Sequence, residues 1–107
     1  MIISTTPEIA GRKILKTLGL VRGNTIRARH MGRDILAGIK MMVGGEIREY
    51  TKLMAESREQ AIDRLITEAE GLGANAVVGL LFSTSMIASG SAELLCYGTA
   101  VVLEEEG

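Results

Sequence analysis

Between Gly71 and Leu103 the chain carries a single charged side chain, Glu93, whereas the residues before Gly71 hold nearly all the other ionisable groups. That asymmetry limits the fold more than any motif does. An uncharged stretch of this length must be screened from water on most of its surface. It is not a membrane span, because Asn75, Ser83, Thr84, Ser85, Ser89, Gly90 and Ser91 interrupt it and leave no run of about 20 predominantly apolar residues. Its periodicity is that of strands. Ala76, Val78, Leu80 and Phe82 alternate with Val77, Gly79, Leu81 and Ser83, and Ser89-Gly90-Ser91 reads as a turn into a last strand over residues 93–104. In that strand Leu94, Cys96, Gly98, Ala100 and Val102 occupy one face and Leu95, Tyr97, Thr99, Val101 and Leu103 the other. An antiparallel sheet covered on one side alternates apolar with polar. This one does not, so both faces are expected to be buried, and a chain this short is expected to supply only one cover. A second copy of the chain is the expected cover for the other face, with Tyr97 and Val101 at the contact.

The charged part supplies the helical layer. Leu53, Met54, Ala61, Ile62, Leu65, Ile66, Ala69 and Leu72 recur at three- and four-residue spacing, with Glu56, Glu59, Asp63, Thr67 and Glu70 opposite. Gly71 and Gly73 end this helix. A shorter helix is expected after Asp34, a residue suited to an N-cap, with Ile35, Ile39, Met42 and Val43 on one face and Gly44-Gly45 as its stop. Residues 13–29 read as a long strand with bulges or bends at Gly19 and Gly23, and residues 2–5 as a short opening strand stopped by Pro7. The fold class is therefore α+β, a single domain over residues 1–107.

Composition removes several functions. With 12 basic and 13 acidic residues the net charge is -1, which offers no general attraction for nucleic acid or an anionic membrane. One Phe, two Tyr and no Trp are too few for a base-stacking platform. No glycine spacing matches a dinucleotide fingerprint or a phosphate loop. One Cys and one His cannot complete a zinc site within one chain, and the N-terminus lacks the pattern of a secretory signal, so a reducing cytoplasm is the expected compartment. His30 has no carboxylate or thiol at catalytic spacing, and Cys96 sits within an apolar strand as a small buried residue. Both are weak metal candidates, able to contribute only if several subunits share the ligands. Arg33 and Asp34 read as a helix cap with a surface arginine or, functionally, as an intersubunit ion pair or anion site. The six methionines fill core or a deformable contact, the C-terminal Glu104-Glu105-Glu106 is a solvated run, and Asn75 satisfies backbone groups locally at the helix-to-strand turn.

Five blocks then stand together: Thr17-Leu18-Gly19-Leu20-Val21-Arg22-Gly23, Arg33-Asp34-Ile35-Leu36-Ala37-Gly38-Ile39, Val43-Gly44-Gly45, Gly73-Ala74-Asn75-Ala76-Val77-Val78-Gly79 and Gly98-Thr99-Ala100-Val101-Val102. In this order and spacing the chain resembles the YbjQ-like family of small bacterial and archaeal proteins. The resemblance implies a two-layer subunit like that of dodecin, an antiparallel sheet covered by helices. It also implies assembly into a homopentameric ring in which short extra strands such as Ile2 and Ile3 help join neighbours. The family carries a heavy-metal-binding label, yet no Cys-x-x-Cys is present and no ligand spacing supports a metal, so no cofactor is assigned. The expected function is that of a non-enzymatic, cytoplasmic, homo-oligomeric binding or scaffold protein whose partner is itself, with no nucleic acid or membrane partner. The alternatives are a metal-binding protein with shared ligands and an enzyme with an intersubunit site built on Arg33, Asp34 or Tyr50.

Overall fold

The computed structural model describes residues 1–27, 45–88 and 91–105. The expected short helix after Asp34, together with His30 and Arg33, lies outside the described residues. The described elements are β1 (Ile2–Ile3), β2 (Ile14–Arg27), α1 (Gly45–Gly71), β3 (Ala76–Ala88) and β4 (Ser91–Leu103). They form one four-stranded sheet in the order β1-β3-β4-β2. β4 runs antiparallel to both of its neighbours, while β1 pairs parallel with β3 through Ile2 opposite Ala76 and Ile3 opposite Val77. The sheet is thus mixed rather than wholly antiparallel, and the opening strand is shorter than the expected residues 2–5.

α1 begins at Gly45, well before Leu53. Gly45 therefore opens this helix, while the helix it was expected to stop lies outside the described residues. A glycine is tolerated there because first-turn amides have no intrahelical acceptor to lose. The other end behaves as its glycines suggest. Gly73 adopts φ 87°, its amide donates to the Glu70 carbonyl at 3.0 Å, and the Ala74 amide donates to the Ala69 carbonyl at 3.1 Å. This is a Schellman cap, in which a left-handed residue lets two amides fold back onto the last free carbonyls.

The chain then passes through Asn75, whose role reaches further than a local turn. Its backbone amide donates to the Val101 carbonyl, and its side chain makes two bonds with the Leu103 backbone, donating to the carbonyl at 3.0 Å and accepting from the amide at 2.7 Å. Its carbonyl accepts from the Ile2 amide at 3.2 Å. One amide side chain thereby ties the helix exit to the end of β4 and the start of β1.

Two cores result, one on each side of the sheet. On the helix side, Val21, Val77, Leu80, Cys96 and Ala100 pack under Ala61, Leu65 and Ala69. Small residues set the spacing of these layers. A Cβ on Gly23 would collide with the Ala61 carbonyl oxygen and the Leu65 backbone nitrogen, so only glycine lets the helix lie on β2. Gly23 is therefore a packing glycine, while the β2 register shifts fall at Ile14/Lys16 and at Thr17/Gly19, where Gly19 has φ 123°. On the other side Ala76, Val78, Val101 and Leu103 form a second core beneath Ile2, Ile9 and Ile14. The expectation that the chain has no cover of its own for this face is corrected over that part of it. The N-terminal segment folds across one end of the sheet, held by the bonds from Gly79 N to Thr6 O at 2.8 Å and from Leu80 N to Ser4 O at 3.0 Å.

Candidate interaction surface

Beyond that cover the outer face continues as three strands without a second layer among the described residues. The register places Leu81, Tyr97 and Arg22 in one row, followed by Ser83, Leu95 and Asn24, then Ser85, Glu93 and Ile26. Leu20, opposite Thr99, stands at the near end. Leu20 is 64% exposed, and Leu81 and Ile26 are each 54% exposed, although Leu20 and Ile26 lie on β2, whose opposite face is packed under the helix. Large aliphatic side chains in a cluster of this kind mark a contact surface more often than a solvated one. Polar groups stand among them in a fixed arrangement. The Asn24 amide nitrogen donates to Glu93 Oε2 at 3.0 Å, which gives the single charge of the Gly71–Leu103 stretch a partner on the same face. Arg64 Nη1 reaches over from α1 to the Asn24 carbonyl.

The shape agrees with an unfinished face. The Cα radius of gyration is 17.2 Å and the extents are 56 × 27 × 18 Å. A compact chain of this length would have a radius of gyration of about 13 Å. The long hairpin of β3 and β4 accounts for the elongation, since strands of 13 residues span roughly 43 Å at about 3.3 Å per residue.

The residues singled out by sequence separate between these surfaces. Tyr97 stands half-buried in the middle of the bare half, between Leu81 and Arg22. Val101 lies on the same face but is 1% exposed inside the second core, so its first role is in the fold of the subunit. Ile2 and Ile3 are half-buried and pair with β3 of their own chain, Ile2 against the outer core and Ile3 against the helix-side core. Cys96 is fully buried on the helix side, and burial pushes its thiol up from the ordinary 9.0, only partly opposed by the Gly23 amide and its own amide. Tyr50 lies in the early turns of α1. His30, Arg33 and Asp34 lie outside the described residues. Arg22, Asn24 and Glu93 were missed as surface groups. The signal that could have found them is Glu93 itself, a lone charge in an uncharged strand that requires a partner across the sheet.

A shallow depression of 370 Å³ lined by Glu8, Ile9, Arg12, Lys13 and Ile14 lies at the N-terminal cover. Its arginine is committed to structure, because Arg12 Nε donates to the Glu104 carbonyl at 2.8 Å. Glu8 balances part of the remaining charge, so the depression forms no concentrated anion site.

These observations define a class: a two-layer α+β protein with one sheet face closed by a helix and the other closed over half its length. The chain belongs to the YbjQ family, which it matches over residues 1–104 and which carries the description "Putative heavy-metal-binding". It is 55% identical over 101 residues to a UPF0145 protein of Methanosarcina acetivorans, covering 94% of this chain and 95% of that one. A UPF0145 protein of Dehalococcoides mccartyi is 53% identical over 104 residues, 97% of this chain and all of the relative. The fold is similar to that of a crystallised DUF74-family protein of unknown function from Pediococcus pentosaceus, with a TM-score of 0.63 at 18% identity over 97% of this chain and 98% of that one.

The family's description raises a metal, and the donors can be tested against it. Among the described residues no three His, Cys, Asp or Glu side chains converge. A thiol ligates as thiolate, and the burial of Cys96 opposes that form. The described residues therefore do not fit a metal centre. No helix among them is long and apolar enough to cross a membrane.

Proposed function

We propose that this protein is a homo-oligomeric binding or scaffold module of the cytoplasm, a ring of five copies in which the bare half of the outer sheet face is covered by a neighbour. The observation that carries this reading is the exposure of Leu20, Ile26 and Leu81 around Tyr97 on a face whose other half is a closed core. A subunit that stayed alone would keep those side chains in water at a cost of about 25 cal/mol for each Å² of apolar surface. A near-zero net charge removes general repulsion between copies.

Light scattering on the untagged full chain at micromolar concentration tests the reading. The expected particle is five times the 11.4 kDa of one chain, and a monomer would sink the proposal. Tyr97→Asp places an unpaired charge in the centre of the contact and is expected to lower the particle mass while leaving the far-UV circular dichroism unchanged.

A further inference from the structure

The depression at the N-terminal cover sets opposite charges around an apolar lining, and backbone bonds fix its walls. The Arg12 amide donates to the Ile9 carbonyl at 3.2 Å, and Gly11 completes that turn with φ 80°. The turn leaves Glu8 and Lys13 on its two flanks. The end of β4 holds the basic side. The Glu104 amide donates to the Lys13 carbonyl at 2.8 Å, and the Glu104 carbonyl accepts from Arg12 Nε at 2.8 Å. On the acidic side the Thr6 hydroxyl donates to the Glu8 carbonyl at 2.6 Å. Ile9 and Ile14 are half-buried against the outer core, which anchors the apolar lining.

The charges around this space do not satisfy one another. Among the described residues no ion pair joins Glu8 to Arg12 or to Lys13, although all three line the same 370 Å³. The Arg12 bond to Glu104 engages only Nε, so it orients the guanidinium while the two Nη atoms keep their capacity to donate. A simple anion here would meet Glu8, and a simple cation would meet Arg12 and Lys13. A molecule that carries both charges meets an opposite charge at each end. Size narrows the class further. Small-molecule sites run from about 300 to 1,000 Å³, so this one suits a compound of amino-acid size and is too small for a dinucleotide. Ile9 and Ile14 add a preference for an aliphatic side chain over a polar one.

We infer that this depression binds a free aliphatic α-amino acid, with its carboxylate on Arg12 and Lys13, its ammonium on Glu8 and its side chain against Ile9 and Ile14. Exposed ion pairs each contribute a factor of about five or less, so the affinity is in the millimolar range. The site lies within one chain and goes beyond the oligomeric reading. A monomeric particle would remove the ring and leave this site, and a site that binds nothing would leave the ring.

Titration of the full chain with leucine, followed through the backbone amide resonances of Ile9, Arg12 and Lys13, tests the inference. Saturable shifts are expected, and 4-methylpentanoate, which lacks the ammonium, and isopentylamine, which lacks the carboxylate, are each expected to bind more weakly by a factor of about two to five. Glu8→Gln should weaken leucine by a similar factor without weakening 4-methylpentanoate. Lys13→Gln should weaken leucine and 4-methylpentanoate without weakening isopentylamine. Both residues are exposed, so the urea midpoint of each variant should match the parent. The inference is overturned if leucine gives no saturable shift up to about 50 mM. It is also overturned if 4-methylpentanoate binds as well as leucine, or if neither substitution changes leucine binding.

Discussion

The two halves of the outer sheet face are built from the same strands with the same alternation, yet one is a core and the other is a surface. In the closed half Ala76, Val78, Val101 and Leu103 lie under Ile2, Ile9 and Ile14. In the bare half Leu20, Ile26 and Leu81 surround Tyr97 without such a cover among the described residues. The strands themselves do not account for the difference. It comes from the N-terminal segment, whose backbone hydrogen bonds to β3 end at Leu80. An apolar face is thus a demand for cover, and among the described residues the chain meets that demand in one half only.

That contrast breaks if the same substitution acts alike in the two halves. The largest effect is expected for Val101→Asp, which buries a carboxylate among aliphatic side chains of one subunit. Its cost is more than about 4 kcal/mol, comparable with the whole stability of a small domain. Circular dichroism should show loss of fold, whereas Tyr97→Asp should lower particle mass with the fold intact. If Val101→Asp only dissociates the particle, the closed half is not a subunit core.

A smaller change sharpens the boundary. Ile9→Ala thins the cover over Val101 and Leu103 and is expected to lower stability in urea by about 1–2 kcal/mol, less than a fully buried Ile→Ala because Ile9 is only half-buried. Particle mass should not change. A loss of mass with unchanged stability would move Ile9 from the fold to the contact.

The helix-covered face supplies the smallest expected effect and a reference for both halves. Burial raises the Cys96 thiol above its ordinary 9.0, so the folded state holds that proton more tightly than the unfolded one. Its contribution to stability is complete below the unfolded value and is lost as pH rises toward the folded one. Urea midpoints should therefore fall more steeply above about pH 9 in the parent than in Cys96→Ala, once the lower baseline of the variant is subtracted. Identical slopes would show that the thiol is not sealed beneath α1.

Much of this architecture was legible before any coordinates. The helix that ends at Gly71–Gly73, the uncharged strands after it and the buried Cys96 all follow from local rules: a 3.6-residue period, a left-handed glycine and a two-residue alternation. The start of α1 was less legible, since glycine at 44 and 45 is as acceptable before a helix as after one. The candidate surface was half legible. Alternation in β4 placed Tyr97 and Val101 on one face with a missing cover, but it could not separate them. Asn24 carried no signal of its own, because its role depends on Glu93 and Arg64 from distant parts of the chain.

The sequence by itself determined that both faces of this sheet are largely apolar and that the chain belongs with its family of small α+β proteins. Only the tertiary structure decided which residues provide each cover. Side-chain alternation is a property of neighbouring residues, whereas the cover over Val101 comes from Ile2 and Ile9 at the other end of the chain. Asn75 holds that distant segment in register through its bonds to Ile2 and Leu103. A demand for burial can be read locally, but what meets it depends on contacts between residues far apart in the chain.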